Sequence, residues 1–362
     1  MSFQIHFTDE QWEHIERDWT AWWSGELERP LVMIHNLEPE PGTRLPEVHG
    51  FTSNYPLDMP ADEVLDRYEA RLEATRFCGD AWPHWWPNFG PGMMAGFLGA
   101  RVNSTPETVW FDPAEPTAIE DLDPSYDGGN LWWQRVLDLT RIAVARWGDR
   151  VQVAHTDLGG NLDIVASLLT SERLLLAMCD APDEVARVAG RITQLWLRYY
   201  RELDEVIQPA GRGTTPWAPI WSPGRCYMLQ SDLAYMISPA MFERFVLPDL
   251  AACCDVLDHG FYHLDGKGQI AHLDMLLSLE RLRGIQWIPG DGQPPPEAWL
   301  GLLKRIRDGG KLCQLYVEPE GALKIVRELG GKGFALYIQQ PMSPGEASDL
   351  LRLISRAKTG WQ

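Results

Sequence analysis

Basic residues are scarce in this 362-residue chain: 32 Lys and Arg stand against 51 Asp and Glu, a formal net charge of −19 at pH 7. Such a charge repels phosphate backbones and anionic lipid surfaces at long range, so nucleic acid and membrane are not expected partners. It also disfavours polyanionic substrates, though more weakly, because a local Arg cluster would set its own field. The six cysteines (Cys78, Cys179, Cys226, Cys253, Cys254 and Cys313) include no C-x-x-C pair. They read as reduced thiols rather than as zinc or redox ligands. No stretch approaches the roughly 18 uninterrupted apolar residues of a membrane span. The opening MSFQIHFTDEQWEHIERDW is polar and acidic, without the basic start and apolar core of an export signal. A cytoplasmic location is expected. No strand-like segment runs into G-x-G-x-x-G or G-x-x-x-x-G-K-[ST], which removes the usual nucleotide-binding fingerprints. There is no internal repeat and no low-complexity tail.

What is present suits one large globular unit. Hydrophobic residues make up 45% and charged residues 23%, enough apolar surface to fill a core and far from a disordered composition. The first 75 residues, dense in Trp, Pro and Gly, read as an elaborated N-terminal cap packed on a barrel formed by residues 76–362, the two making one folding unit. Thr8 followed by Asp9, Glu10 and Gln11 caps a helix running to about Trp23. LVMIHNL from Leu31 reads as a strand, and MPADEVLDRYEARLEATRF as a helix with Pro60 near its start. From about Asn130 helical and strand-like segments alternate. LWWQRVLDLTRIAVARWG is a helix, VQVAHTDL a strand, and SERLLLAMCDAPDEVARVAGRITQLWLRYYRELDEVI two helices broken near Pro182. A strand lies between Thr214 and Gln230, and a helix begins near Ser238. The strands GFYHLDG, GIQWIPG, KLCQLYV and GFALYIQQP follow, with helices between them. Closely spaced strand-then-helix units give parallel sheet, and four of them favour a (β/α)8 barrel of TIM type over an open doubly wound sheet. Reactive groups of such barrels gather where strands end and loops begin.

The strand ends collect His155 and Asp157; Gln230, Ser231 and Asp232; His263 and Asp265; Gln286 and Asp291; Glu318; Gln339 and Gln340. Buried polar groups are costly unless paired, so a mouth lined this way serves a ligand, a metal or water, unless each residue merely caps a helix or holds a loop. Alternation along a strand puts His263 and Asp265 on one face, where both could reach one divalent ion. Alternatively Asp265 accepts a hydrogen bond from His263 or caps the turn at Gly266. His155 and Asp157 repeat the spacing, and either pair could supply acid and base groups. Trp82, Trp85, Trp86, Trp217, Trp221 and Trp287 fall near the same rim, most of them as packing, with Trp86, Trp221 and Trp287 the candidate ligand walls.

From about Val151 onward, over about 200 residues, the chain resembles the uroporphyrinogen decarboxylase superfamily. The likeness rests on QSDLAYMISPAMFERFVLPDL, FYHLDGKG, QLYVEPEGAL and FALYIQQPMSPGEA. That superfamily includes the decarboxylase itself and zinc-dependent methyltransferases that move methyl groups between methylcorrinoid proteins and thiols. Carried onto this sequence, the methyltransferase zinc site implies His263, with Asp265 in place of a first Cys and Gln339 or Gln340 in place of a second. Only the His is kept, and a carboxylate and an amide hold zinc more loosely or select a harder ion. The decarboxylase's N-terminal Arg-rich motif is absent, WWSGELERPLVMI offering only Arg29, while Ser231 matches its polar strand end.

The resemblance implies a methyltransferase-like enzyme acting on a small molecule or a methylcorrinoid. Catalytic roles fall to His263, Asp232 and Asp265. The expected ligand contacts are His155, Asp157, Ser231, Gln286, Trp287, Gln339, Gln340, Trp86 and Trp221, and the expected metal ligands His263 and Asp265. Zinc or another divalent ion is the implied cofactor, with a corrinoid carried by a partner protein. The alternatives are a decarboxylase of a carboxylic acid, with Asp232 or His263 managing protons, and a non-catalytic ligand-binding or corrinoid-partner protein. Base rates favour a homodimer.

Overall fold

The computed structural model describes residues 3–208 and 211–357; residues 1, 2, 209, 210 and 358–362, which include the first residues of the expected cap and the last of the expected barrel, lie outside it. Among the described residues the strands are β1 (Leu31–Leu37), β2 (Thr75–Gly79), β3 (His84–Trp85), β4 (Arg101–Ser104), β5 (Val109–Asp112), β6 (Gln152–Val153), β7 (Cys226–Leu229), β8 (His259–Asp265), β9 (Leu282–Ile288), β10 (Leu312–Val317) and β11 (Phe334–Ile338). Seven of them form a sheet in the order β2-β1-β11-β10-β9-β8-β7. Every neighbouring pair in it is parallel except β1 with β2. β3 and β6 make a separate parallel pair, and β4 with β5 a hairpin.

The parallel strands are buried almost end to end because helices cross back over the sheet. Helix Leu300–Asp308 sets Leu302, Leu303 and Ile306 inward, and helix Pro319–Leu329 does so with Ala322, Ile325 and Val326, one apolar stripe each. No helix among the described residues is long and apolar enough to cross a membrane.

Helix Asp9–Trp23 starts with a capping box between Thr8 and Gln11 and buries Trp12, Ile15, Trp19, Trp22 and Trp23. Its last turn seals the N-terminal ends of β8 and β9. Trp23 stacks on His259 at 4.2 Å, Trp22 lies over Phe261, and Arg283 donates to the Trp23 carbonyl at 2.7 Å. Arg29 fixes this helix to the sheet. Its guanidinium donates to both Asp80 oxygens at 2.7 Å and to Asp18 at 2.5 Å, while Asp80 also accepts the Val32 amide. Such a bidentate, charge-assisted pair is among the stronger polar contacts available to a chain.

The first 75 residues supply β1, which sits between β2 and β11 in the central sheet. Two sequence expectations change. TRF, read as the end of a helix, belongs to β2, because the helix stops at Ala74 and the Thr75 hydroxyl closes on the Arg71 carbonyl. VQVAHTDL keeps strand geometry only at Gln152–Val153, and helix Asn161–Leu169 went unread after it. Of the expected closed barrel, hydrogen bonding gives a mostly parallel α/β sheet with the β3–β6 pair standing apart.

A side chain at Gly284 of β9 would put its Cβ 1.9 Å from the Phe261 ring. Gly284→Ala is expected to lower unfolding stability by about 1–3 kcal/mol. Gly301→Ala, in an open helical position, should raise it by about 0.5–1 kcal/mol. Denaturant titration of both variants checks the pair.

Candidate functional site

Residues in register on parallel strands share a face, so His263, Gln286 and Gln314 line up at one height across β8, β9 and β10. His263 and Asp265 stand two apart on β8. β7 runs through Gln230 and Ser231 into a short turn that begins at Asp232. These segments bring the ligand atoms of Asp232, His263 and Asp265 within 4.8 Å of one another. His263 Nε2 lies 4.0 Å from the Asp265 carboxylate. Its Nδ1 donates to Gln286 Oε1, and Gln286 donates in turn to Gln314 Oε1. An amide oxygen only accepts, so the ring proton sits on Nδ1 and Nε2 keeps its lone pair toward the carboxylates. Burial holds the His263 pKa below its usual value against the opposing pull of Gln286, Asp265 and Asp163. Trp217, anchored by its Nε1 donating to the Met228 carbonyl at 2.9 Å, sets its ring edge-on to His263 at 5.2 Å.

Asp163 positions the Asp232 turn. It lies in the first turn of helix Asn161–Leu169 and accepts the amides of Asp232 at 2.9 Å and Leu233 at 2.8 Å. The close approach needs a glycine, since a Cβ on Gly160 would stand 2.1 Å from the Gln230 carbonyl. Burial first and the Asp232 charge second raise Asp163 to about 7. The same two causes raise Asp157 to about 7, against bonds from the Gly159 amide and Gln230. Asp232 is open to solvent at the rim, yet the enclosing walls and then the Asp265 charge lift it to about 6. Among the described residues these three carboxylates have no Lys or Arg partner within 4 Å, and Asp265 has only His263. The wall is acidic and holds protons near neutrality.

Across the same face stand residues that sequence reasoning missed. Tyr316 and Tyr337 are in register on β10 and β11, and the Tyr337 hydroxyl lies 3.2 Å from His35 Nδ1. His84 sits beside His35, the ring centroids 5.3 Å apart. Burial lowers His35 to about 3 and His84 to about 4, so both are neutral at pH 7. The signal was available in principle: Tyr337, Tyr316 and His35 are polar interruptions in otherwise apolar strands.

Other expected site residues lie elsewhere. His155 is fully buried, stacks on Tyr200, and points Nε2 at Asp204, 3.4 Å away on helix Pro182–Ile207; it belongs to helix packing, not to the mouth. Trp287 pairs with Leu264, on the opposite face from Gln286, and packs on Trp299. Trp221 is buried at the N-terminal ends of the strands, where its carbonyl accepts from Trp23 Nε1. Gln339 and Gln340 are exposed beyond β11, outside the Asp232–His263–Asp265 cluster. Ser231, fully buried, and half-buried Trp86, its ring 6.3 Å from Trp217, do adjoin the site. A second cluster, His14 with Asp18 and Asp80, has its carboxylates neutralised by Arg29. A cavity of about 620 Å³ near the outer edge of the sheet, lined by Glu38, Glu73, Arg44 and Arg76 among others, lies apart from all of these groups.

A carboxyl raised in the folded state binds its proton there after the unfolded chain has lost it, so stability falls as pH rises between the two pKa values. For Asp157 that window runs from the ordinary 3.8 to about 7. Asp157→Asn, which keeps an oxygen for the Gly159 amide, should therefore gain over the native protein progressively across this window and level off above it. Thermal melts are expected to show a Tm advantage of about 2–4 °C at pH 8 that shrinks to near zero at pH 4.

No protein-family profile matches the chain, and no curated protein matches its sequence. Among solved structures, a methyltransferase from Methanosarcina mazei superposes with a TM-score of 0.61 over 94% of this chain and 98% of its own, at 13% sequence identity. The two proteins share a fold.

Proposed function

We propose that this chain is a metal-dependent, methyltransferase-like enzyme whose reaction centre is Asp232, His263 and Asp265. The observation that carries the reading is the convergence of two carboxylates and one imidazole from two segments, β8 and the turn at Asp232, with Gln286 accepting from the imidazole as the hydrogen-bond partner of a metal-bound His does. The shared fold with a methyltransferase supports the transfer chemistry. The six strands β1 and β7–β11 together with β3 and β6 make eight, the number of a closed (β/α)8 barrel. We take the fold to be that barrel, of the uroporphyrinogen decarboxylase type.

The donor set fits a hard or borderline divalent cation rather than thiolate-bound zinc. Four of the six cysteines are buried, and none belongs to the cluster. Asp232, His263 Nε2 and Asp265 would hold the ion; when bound, it would lower the pKa of a substrate thiol or hydroxyl. Asp157 and Asp163, protonated in part near neutrality, are suited to exchange a proton with that group. The neutral wall of His35, His84 and Tyr337 offers uncharged hydrogen bonds. A partner-borne corrinoid as methyl donor belongs to the same reading, approaching from the C-terminal ends of the strands because the other ends are sealed by Trp22 and Trp23. A carboxylate substrate is disfavoured: Arg29 is committed to Asp18 and Asp80, and among the described residues the carboxylates of the acidic wall have no Lys or Arg within 4 Å to receive an anion.

Metal content of protein purified without chelators or a metal-binding tag tests the proposal. Near-stoichiometric divalent metal in the native chain, lost in His263→Ala, is expected. Neither protein holding metal after incubation with zinc, manganese, iron or magnesium would overturn it.

A further inference from the structure

Asp232 comes from one segment and His263 with Asp265 from another, so the cluster exists only while the two segments keep their spacing. Asp163 holds the Asp232 turn from the side of helix Asn161–Leu169. A second hold comes from the turn Lys267–His272, which follows β8. Gln269 lies in that turn and is 1% exposed. Its Nε2 donates to the carbonyl of Ser231, one residue before Asp232, at 3.1 Å, and its Oε1 accepts the hydroxyl of Tyr262, one residue before His263, at 2.8 Å. A carbonyl only accepts, which fixes the amide with its nitrogen toward Ser231. Tyr262 alternates with His263 along β8 and is fully buried on the opposite face of the sheet. The Ser231 carbonyl also accepts the Ala234 amide at 3.1 Å, a bond that stays inside the Asp232 turn. Two further contacts press the turns together. His272 Nε2 donates to the Ala234 carbonyl at 2.9 Å, and a Cβ on Gly268 would stand 2.8 Å from the Tyr235 ring.

We infer that Gln269 is a positioning residue of the reaction centre: through Tyr262 and Ser231 it sets how far Asp232 stands from His263 and Asp265. It touches no reacting atom. The inference rests on the metal reading above for what the spacing serves. Without the bridge Asp232 would draw away from the ion, while His263 and Asp265, both on β8, would stay in place.

Cobalt(II) titration of the full chain, followed by visible absorption, tests the inference together with amide hydrogen exchange on the same proteins free of metal. Gln269→Met keeps the bulk and removes both bonds, and Tyr262→Phe removes one hydroxyl. Gln269→Met is expected to bind cobalt about 10–100-fold more weakly than the native chain and to show the absorption bands of Asp232→Ala, with the affinity of Tyr262→Phe between the two. Ser222→Ala deletes a buried bond of 2.7 Å to His259 at the N-terminal end of β8. It should keep the native affinity and bands, which separates loss of position from general loss of stability. Residues 231–236 should exchange faster in Gln269→Met than in Ser222→Ala. If Gln269→Met does not fold, Tyr262→Phe takes its place in both comparisons. Native affinity and native bands in the bridge variants would overturn the inference. A native chain that takes up no cobalt would overturn the metal reading instead, and exchange then decides alone: equal protection of residues 231–236 in the bridge and Ser222 variants sinks the inference, and faster exchange in the bridge variants upholds Gln269 as the tie between the segments.

Discussion

The site depends on one constraint, the register of parallel strands. When β8 through β11 are hydrogen-bonded in parallel, residues at matching heights share a face. His263, Gln286 and Gln314 thereby become a continuous polar layer, and Tyr316 with Tyr337 a second one above it. No single strand carries a site. A one-residue slip of β9 would turn Gln286 outward and bring Trp287 in, removing the hydrogen-bond partner of His263 Nδ1. The clamp of Arg29 on Asp18 and Asp80 protects that register indirectly, because it ties the N-terminal helix to β1 and the start of the sheet.

Charge in the mouth is sorted rather than balanced. One side carries Asp157, Asp163, Asp232 and Asp265, the other neutral His35 and His84. Desolvation acts on both walls in opposite senses, raising carboxyl pKa values and lowering imidazole values, and the common result is that fewer charges are held at neutral pH.

Much of this was legible in the sequence where alternation decides the answer. His263 and Asp265 share a face because they are two apart on a strand, and Asp232 and Gln286 were found as polar strand ends. Helix Asp9–Trp23 followed from its cap. Where the inner face was misjudged the reason is physical: strands buried on both sides give no hydrophobic-polar alternation to tell the inner face from the outer. Trp287 was therefore assigned to the mouth although it faces the helices, and His35 and Tyr337 were passed over although they face in. Asp163 was invisible for another reason, that its role is to hold the backbone of a turn seventy residues further along the chain. The pairing of β1 was not legible because β1 is far in sequence from β11, its partner in the sheet.

The Trp22 and Trp23 plug closes the N-terminal ends of β8 and β9. That leaves the C-terminal ends of these strands as the open side toward His263. In the proposed enzyme two reactants sharing that side would have to be seated in a fixed order, a constraint written into the N-terminal helix some 240 residues before the histidine it shields.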